Sequence, residues 1–152
     1  VPERSFDTVT VAAAPPEVVF DHLADPASYV GLSPLVVAVR DVRRGRDAAG
    51  RPTIDYVAVE RFRFGPLRLD NPIRVRMSGQ RPARLVSDVD SPGGVWLRAE
   101  VTLAEVPQGT RVHETVRLRA PVPLRGFALG MARRVAGYRA AELTRRMAPA
   151  VV

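Results

Sequence analysis

The sequence predicts an α+β domain in which one antiparallel sheet of seven strands holds a long C-terminal helix. Three observations carry this reading. The chain opens on a β-branched run, Ser5 to Ala13, and closes on an apolar stripe at helical spacing, Leu124 to Ala148. Between them lie short alternating segments, joined by turns too brief for parallel crossovers. Only around Pro15 to Val30 does the apolar period change from 2 to 3.6.

The elements follow in order. Ala14-Pro15-Pro16 ends the first strand, and the prolines suit a helix start, with Glu17 at the positive end of its dipole. Val19, Phe20 and Leu23 form the apolar face of that short helix, which Asp25-Pro26 closes, and a second helical turn is predicted at Ala27 to Val30. From Leu35 to Ala120, turn signals at Gly45 to Gly50, Gly65-Pro66, Gly79 to Pro82, Ser91 to Gly94 and Pro107 to Gly109 mark six strands in a meander. In the last helix Leu124, Phe127, Met131, Val135 and Tyr138 share one stripe, flanked by Leu129, Ala136, Leu143 and Met147, so this helix is expected against the sheet. Gly126, Gly130 and Gly137 fall on one narrow side, which suggests close approach of backbone or ligand, or a bend.

Composition narrows the function. A chain of 152 residues, 46% hydrophobic, has a core for one domain, taken as residues 1–152. The sequence contains no Cys, which excludes disulfides and thiolate catalysis. The 23 basic residues are all Arg and outnumber 16 acidic ones, giving +7, but they are scattered along the chain rather than clustered with aromatics. A nucleic-acid partner is therefore not expected. No apolar run approaches the roughly 18 residues needed to cross a membrane, so no integral membrane association is expected and the protein reads as soluble and cytoplasmic. Val1 stands where an initiator Met is usual, which leaves open an N-terminal segment removed in processing.

The order of elements, the stretch VAAAPPEVVFDHLADPASY at Val11 to Tyr29, the segment GTRVHETVRL at Gly109 to Leu118 and the final amphipathic helix together resemble the START-like, Bet v 1-like (SRPBCC) superfamily of polyketide cyclases and dehydratases. The resemblance spans the whole chain. It implies a helix-grip fold, a strongly curved sheet wrapped round the last helix and enclosing an apolar cavity. It further implies a small hydrophobic or aromatic ligand and, in some members, cyclisation or dehydration. Gly31-Leu32 stands where many members carry an aromatic residue, so a ligand contact at that point is not carried over.

Strand alternation then says which side chains face such a cavity. In Thr53 to Phe64 one face reads Ile54, Tyr56, Ala58, Glu60, Phe62, Phe64, and in Leu67 to Met77 it reads Leu67, Leu69, Asn71, Ile73, Val75, Met77. In Arg111 to Arg119 it reads Val112, Glu114, Val116, Leu118. Glu60, Glu114 and Asn71 interrupt apolar faces. An inward carboxylate without a partner has a raised pKa, which suits a general acid or base near neutrality. These three are the candidate catalytic residues. Tyr56, Phe62, Phe64, Leu69, Ile73, Val75, Phe127, Met131 and Tyr138 are the candidate ligand-binding set. A structural alternative stands beside this, in which each Glu pairs with an Arg from a loop or helix. Asn71-Pro72 in mid-strand predicts a bend or bulge, because Pro cannot donate to the ladder.

His22 and His113 have no second ligand at metal spacing, and Ser33 and Ser87 no visible His/Asp partner, so neither a metal, a cofactor nor a nucleophilic triad is expected. The function these readings support is binding of a small hydrophobic molecule with cyclase, dehydratase or other lyase-type proton transfer, in secondary metabolism. A non-catalytic carrier or sensor of a lipid or hydrophobic metabolite is the alternative, an interaction module a third reading, and a homodimer is compatible with each.

Overall fold

The computed structural model describes residues 3–149. Strand β1 (Arg4–Ala12) is followed by helix α1 (Pro16–Leu23), a short 3-10 turn at Pro26–Ser28 and helix α2 (Tyr29–Leu32). Six strands then run as a meander: β2 (Val36–Arg46), β3 (Pro52–Phe64), β4 (Leu67–Gln80), β5 (Arg84–Ser91), β6 (Val95–Val106) and β7 (Gly109–Arg119). Helix α3 (Val122–Met147) completes the chain. The sheet order is β1-β7-β6-β5-β4-β3-β2, antiparallel throughout. This is the seven-stranded α+β helix-grip architecture expected from the sequence, with each predicted turn signal at or next to a strand junction.

Local chemistry explains the connections. Pro15 caps α1 with an extended backbone, and its carbonyl accepts from the amides of Val18 and Val19. Val19, Phe20 and Leu23 are buried from this helix, each worth roughly 1.5–3 kcal/mol of hydrophobic burial. Asp25 accepts from the Ala27 amide at 3.0 Å, which starts the 3-10 turn. At the β6–β7 junction, Gly109 has φ +135° and lies so close to the Ala12 carbonyl that a Cβ has no room. That contact seats the turn on the end of β1, where the fully buried Thr110 donates to the Ala14 carbonyl at 2.6 Å.

The two faces of the sheet divide as the alternation predicts. The convex face carries cross-strand ion pairs, among them Arg61–Asp70 at 2.8 Å, Arg76–Asp55 at 2.7 Å and Arg84–Glu100 at 2.9 Å. Much of the scattered arginine is thus matched by acid on a neighbouring strand. The concave face carries Tyr56, Ala58, Ile73, Val75, Val101, Val116 and Leu118, all buried.

Two expectations need correction. Asn71-Pro72 forms no bulge: the β3–β4 register runs unbroken through Glu60↔Asn71 and Val59↔Pro72. The β4–β5 ladder begins only at Arg74, so Pro72 lies beyond the reach of β5 and its missing N–H leaves no gap there. The irregularities fall in β2 instead, between Val36 and Ala38 and between Arg40 and Arg43. The glycine stripe of α3 is the second correction. A Cβ on Gly126, Gly130 or Gly137 meets nothing within 4 Å, so these residues border open space and no other part of the described backbone packs closely on them.

Helix α3 is fastened unequally. Its C-terminal half packs on β1, with Leu143 buried and the Thr10 and Thr144 hydroxyls 3.1 Å apart. Arg146 donates to the carbonyls of Ser28 at 2.7 Å and Val30 at 3.3 Å, bolting this half to the turn before α2. Its N-terminal half stands away from the sheet, and the gap is a cavity.

Candidate functional site

The cavity has a volume of about 450 Å3 and lies between α3 and the concave face of β3 to β7. That is room for about 15 water molecules at roughly 30 Å3 each. Its walls are mainly apolar. Strand β3 contributes Tyr56, Ala58, Glu60, Phe62 and Phe64, β4 contributes Leu69, Asn71, Ile73 and Val75, and β7 contributes Glu114, Val116 and Leu118. Leu124, Phe127, Met131 and Val135 face it from α3, while Leu23, Tyr29, Ser33 and Val36 close the far end. Phe64, Leu69 and Phe127 are 55%, 59% and 55% exposed, so they form the rim of the mouth rather than its walls.

Of the candidate ligand contacts, Tyr56, Phe62, Phe64, Leu69, Ile73, Val75, Phe127 and Met131 border the cavity, and Tyr138 does not. Tyr138 is 47% exposed and has to be withdrawn from the set. The sequence stripe assumed one fixed inner face along α3. A straight helix crossing a twisted sheet presents changing faces to it. Here the inner face moves from Leu124, Met131 and Val135 round to Ala136, Arg139 and Leu143, leaving Tyr138 outside.

Polar groups interrupt the apolar walls at two places. Near the mouth, Glu60 and Asn71 are directly opposite in the β3–β4 register. Asn71 Nδ2 donates to Glu60 Oε1 at 3.4 Å and to Ser91 Oγ at 3.2 Å. Burial pushes the Glu60 carboxyl above its ordinary value, and the bond from Asn71 opposes this only in part. Among the described residues no cationic side chain pairs with it. Glu60 is therefore a carboxyl set in an apolar wall beside a single amide.

Glu114 is held differently. Arg139 Nη2 donates to its Oε1 at 2.6 Å, with the two side chains 19% and 10% exposed. This is the paired arrangement that the sequence left open for an inward Glu, and it makes Glu114 a charged partner rather than a free base. Burial alone pulls the Arg139 guanidinium down, but Glu114, with Tyr29 and Tyr56 nearby, turns the balance so that its pKa is raised. Tyr29 and Tyr56 stack at 6.4 Å between ring centroids, and burial raises both phenols above their ordinary value. The Tyr29 hydroxyl donates to the Leu23 carbonyl at 2.6 Å. Tyr56 is 6% exposed and borders the cavity, yet its hydroxyl has no hydrogen-bond partner among the described residues.

Sequence reasoning missed Arg139, Tyr29 and Ser91, and weighed Ser33 and Ser87 only as nucleophiles, yet all five border the cavity. For Arg139 a signal existed. It stands four residues after Val135 and eight after Met131, so a charge interrupts the same helical stripe, just as Glu60 interrupts a strand face. His22 lies outside the cavity lining, with Nδ1 3.5 Å from Ser28 Oγ and Nε2 3.3 Å from Arg146. Burial and the Arg146 charge lower its pKa. His113 remains on the outer face, 3.7 Å from Asp7. Among the described residues no three His, Asp or Glu side chains come together as metal ligands, and no helix is long and apolar enough to cross a membrane.

Comparison with known proteins agrees with this geometry at the level of fold. The Zhui aromatase/cyclase from Streptomyces sp. R1128 superposes with a TM-score of 0.75 at 15% identity, covering 97% of each chain. A di-domain aromatase/cyclase, BexL of the BE-7585A biosynthetic pathway, gives 0.75 at 14% identity over 98% of this chain. The present chain spans about half (51%) of that protein's length. A START superfamily protein from Mycobacterium smegmatis gives 0.69 at 14% identity, covering 94% of this chain and 96% of its own. No curated protein sequence matches. Residues 3–150 match the family described as polyketide cyclase / dehydrase and lipid transport, and the chain belongs to this family.

Proposed function

We propose that the protein binds a small, mainly apolar molecule in the cavity and moves a proton on it through Glu60, as a cyclase or dehydratase of secondary metabolism. The observation that carries this is the Glu60 carboxyl, inward-facing in an apolar wall, raised in pKa by burial and hydrogen-bonded, among the described residues, only to Asn71. In its ionised form it removes a proton α to a carbonyl of the bound molecule. The C–H electron pair passes into the enolate, and the proton stays on Glu60 for return to carbon or to a departing hydroxyl. The walls hold the chain folded while this occurs. The second reading, a carrier without chemistry, is favoured by the predominance of apolar lining and the apolar rim.

The test is hydrogen–deuterium exchange at the α-carbon of bound 2-tetralone, followed by NMR. Wild-type protein is expected to accelerate exchange. Glu60→Gln is expected to lose the acceleration while still binding an apolar fluorescent probe such as N-phenyl-1-naphthylamine. Equal exchange by wild type and Glu60→Gln sinks the assignment of Glu60, and probe binding without exchange in wild type leaves the carrier.

A further inference from the structure

The reaction proposed for Glu60 uses only the mouth end of the cavity. At the other end lies a cavity-facing hydroxyl that the reaction does not use and that bonds to no protein group among the described residues. The Tyr56 ring is buried, and its hydroxyl has no protein partner among the described residues. Ser33, 5% exposed and also on the cavity wall, is another hydroxyl without a side-chain hydrogen bond among them. Neither hydroxyl is among the fully buried unpaired atoms, so each opens on the cavity and bonds to water or to a bound molecule there. Such a group facing a cavity is completed by what the cavity holds.

Its surroundings say what that is. Tyr56 is fixed by its stack on Tyr29, whose own hydroxyl is committed to the Leu23 carbonyl. The Arg139 guanidinium is close enough for its charge to be felt at both phenols, and one of its donors is spent on Glu114. A phenol donor backed by a guanidinium suits an oxygen acceptor, namely a carbonyl, an enol or a phenol. Glu114 balances the arginine, so the site favours a neutral or partly negative oxygen over a full carboxylate.

Tyr56 and Glu60 lie on the same face of β3, four residues apart, which places their Cα atoms about 13 Å from one another at roughly 3.3 Å per residue. Ala58 lies between them on that face, and Ile73 and Val75 on β4 continue the wall. The cavity is therefore apolar in the middle and polar at both ends.

We propose that the cavity selects an elongated, flat, apolar molecule bearing an oxygen function at each end, with Tyr56 and Arg139 holding the deep oxygen and Glu60 and Asn71 meeting the other. This rests on the reading of the cavity as a ligand site and adds the class of ligand and its direction: the deep oxygen anchors, and the reacting carbons lie at the mouth end. At about 450 Å3 the space suits roughly 15 to 20 non-hydrogen atoms.

The experiment uses trans-stilbene and its para-hydroxy and para,para′-dihydroxy derivatives, fluorescent rods of suitable size. Each is titrated into wild type, Tyr56→Phe, Glu60→Leu and the double variant, with melting curves to verify folding. The readout is the ratio of diol affinity to stilbene affinity, which cancels changes in the apolar walls. Each satisfied hydroxyl is expected to contribute roughly tenfold. The ratio should be about a hundredfold in wild type, about tenfold in each single variant and near one in the double, since well-separated sites add. The monohydroxy compound should fall between the others. A ratio near one in wild type, or one that Tyr56→Phe leaves unchanged, overturns the two-ended ligand while the apolar cavity stands. Failure of stilbene itself to bind overturns both readings.

Discussion

Glu114 and Arg139 offer the strongest quantitative test, because the structure commits both charges to one contact. The perturbation is Glu114→Gln, which keeps the shape and removes the charge. Two unit charges about 4 Å apart attract by about 4 kcal/mol at an effective dielectric of 20. With side chains only 10% and 19% exposed, solvent recovers little of that once the carboxylate is gone. The arginine keeps its desolvation cost with nothing to offset it. Breaking a buried pair from one side destabilises by about 3–5 kcal/mol, a large fraction of the roughly 5–15 kcal/mol that holds a domain together. At about 2–4 °C per kcal/mol for this size, the melting temperature should fall by roughly 6–20 °C. Arg139→Met should cost a similar amount by stranding the carboxylate. Glu114→Leu combined with Arg139→Met removes both charges and should return to within about 1 kcal/mol of wild type. Urea unfolding followed by circular dichroism measures all of these, provided the m-value stays constant. A Glu114→Gln variant within about 1 kcal/mol of wild type, or a double variant as unstable as the sum of the singles, refutes the claim that this pair is buried and mutually dependent.

Glu60 predicts a pH dependence of the opposite kind to that of a salt-bridged acid. Its folded pKa is raised above 4.5 by burial, so its contribution to stability is full below 4.5 and declines as pH rises through the folded value. Glu60→Gln should be neutral or stabilising at pH 7 and show no advantage in acid; urea unfolding of both proteins from acid to neutral pH checks this, and a marked loss of stability at pH 7 contradicts it. Met131→Asp places a charge on the cavity wall rather than in close-packed core, so it should cost roughly 1–3 kcal/mol and suppress uptake of N-phenyl-1-naphthylamine. A melt and a titration both unchanged from wild type would show that the helix does not present this face to the cavity.

The strands were legible and the helix only in part, for a physical reason. A period of two leaves no choice of face, so Glu60, Asn71 and Tyr56 could be placed on the concave side from the sequence, and all three border the cavity. A helical stripe is broader, and its inner edge depends on how the helix crosses the sheet, which no local pattern encodes. That is why the stripe carries Tyr138 inward, and why the charge of Arg139, though it interrupts the same stripe, does not by itself place that residue on the cavity wall. Glu114 was found, but its partner lies 25 residues away on another element, so its pairing depends on tertiary structure. The unbroken strand at Pro72 follows from where β5 stops, also a tertiary fact.

The unequal fastening of α3 has a kinetic consequence for the proposed ligand binding. The C-terminal half shares its stability with the core through Leu143 and with the segment Ser28 to Val30 through Arg146. The N-terminal half, from Val122 to Met131, has Gly126 and Gly130 bordering open space, each about 1 kcal/mol less favourable than Ala in a helix. Fraying of such a segment draws on a smaller free energy than global unfolding does. For a molecule bound as proposed, residence time is expected to follow a helix–coil equilibrium at the mouth more than the stability of the sheet, which hydrogen exchange of the α3 amides would read. Substitutions on the outer surface of α3, remote from any bound molecule, become determinants of how fast it leaves.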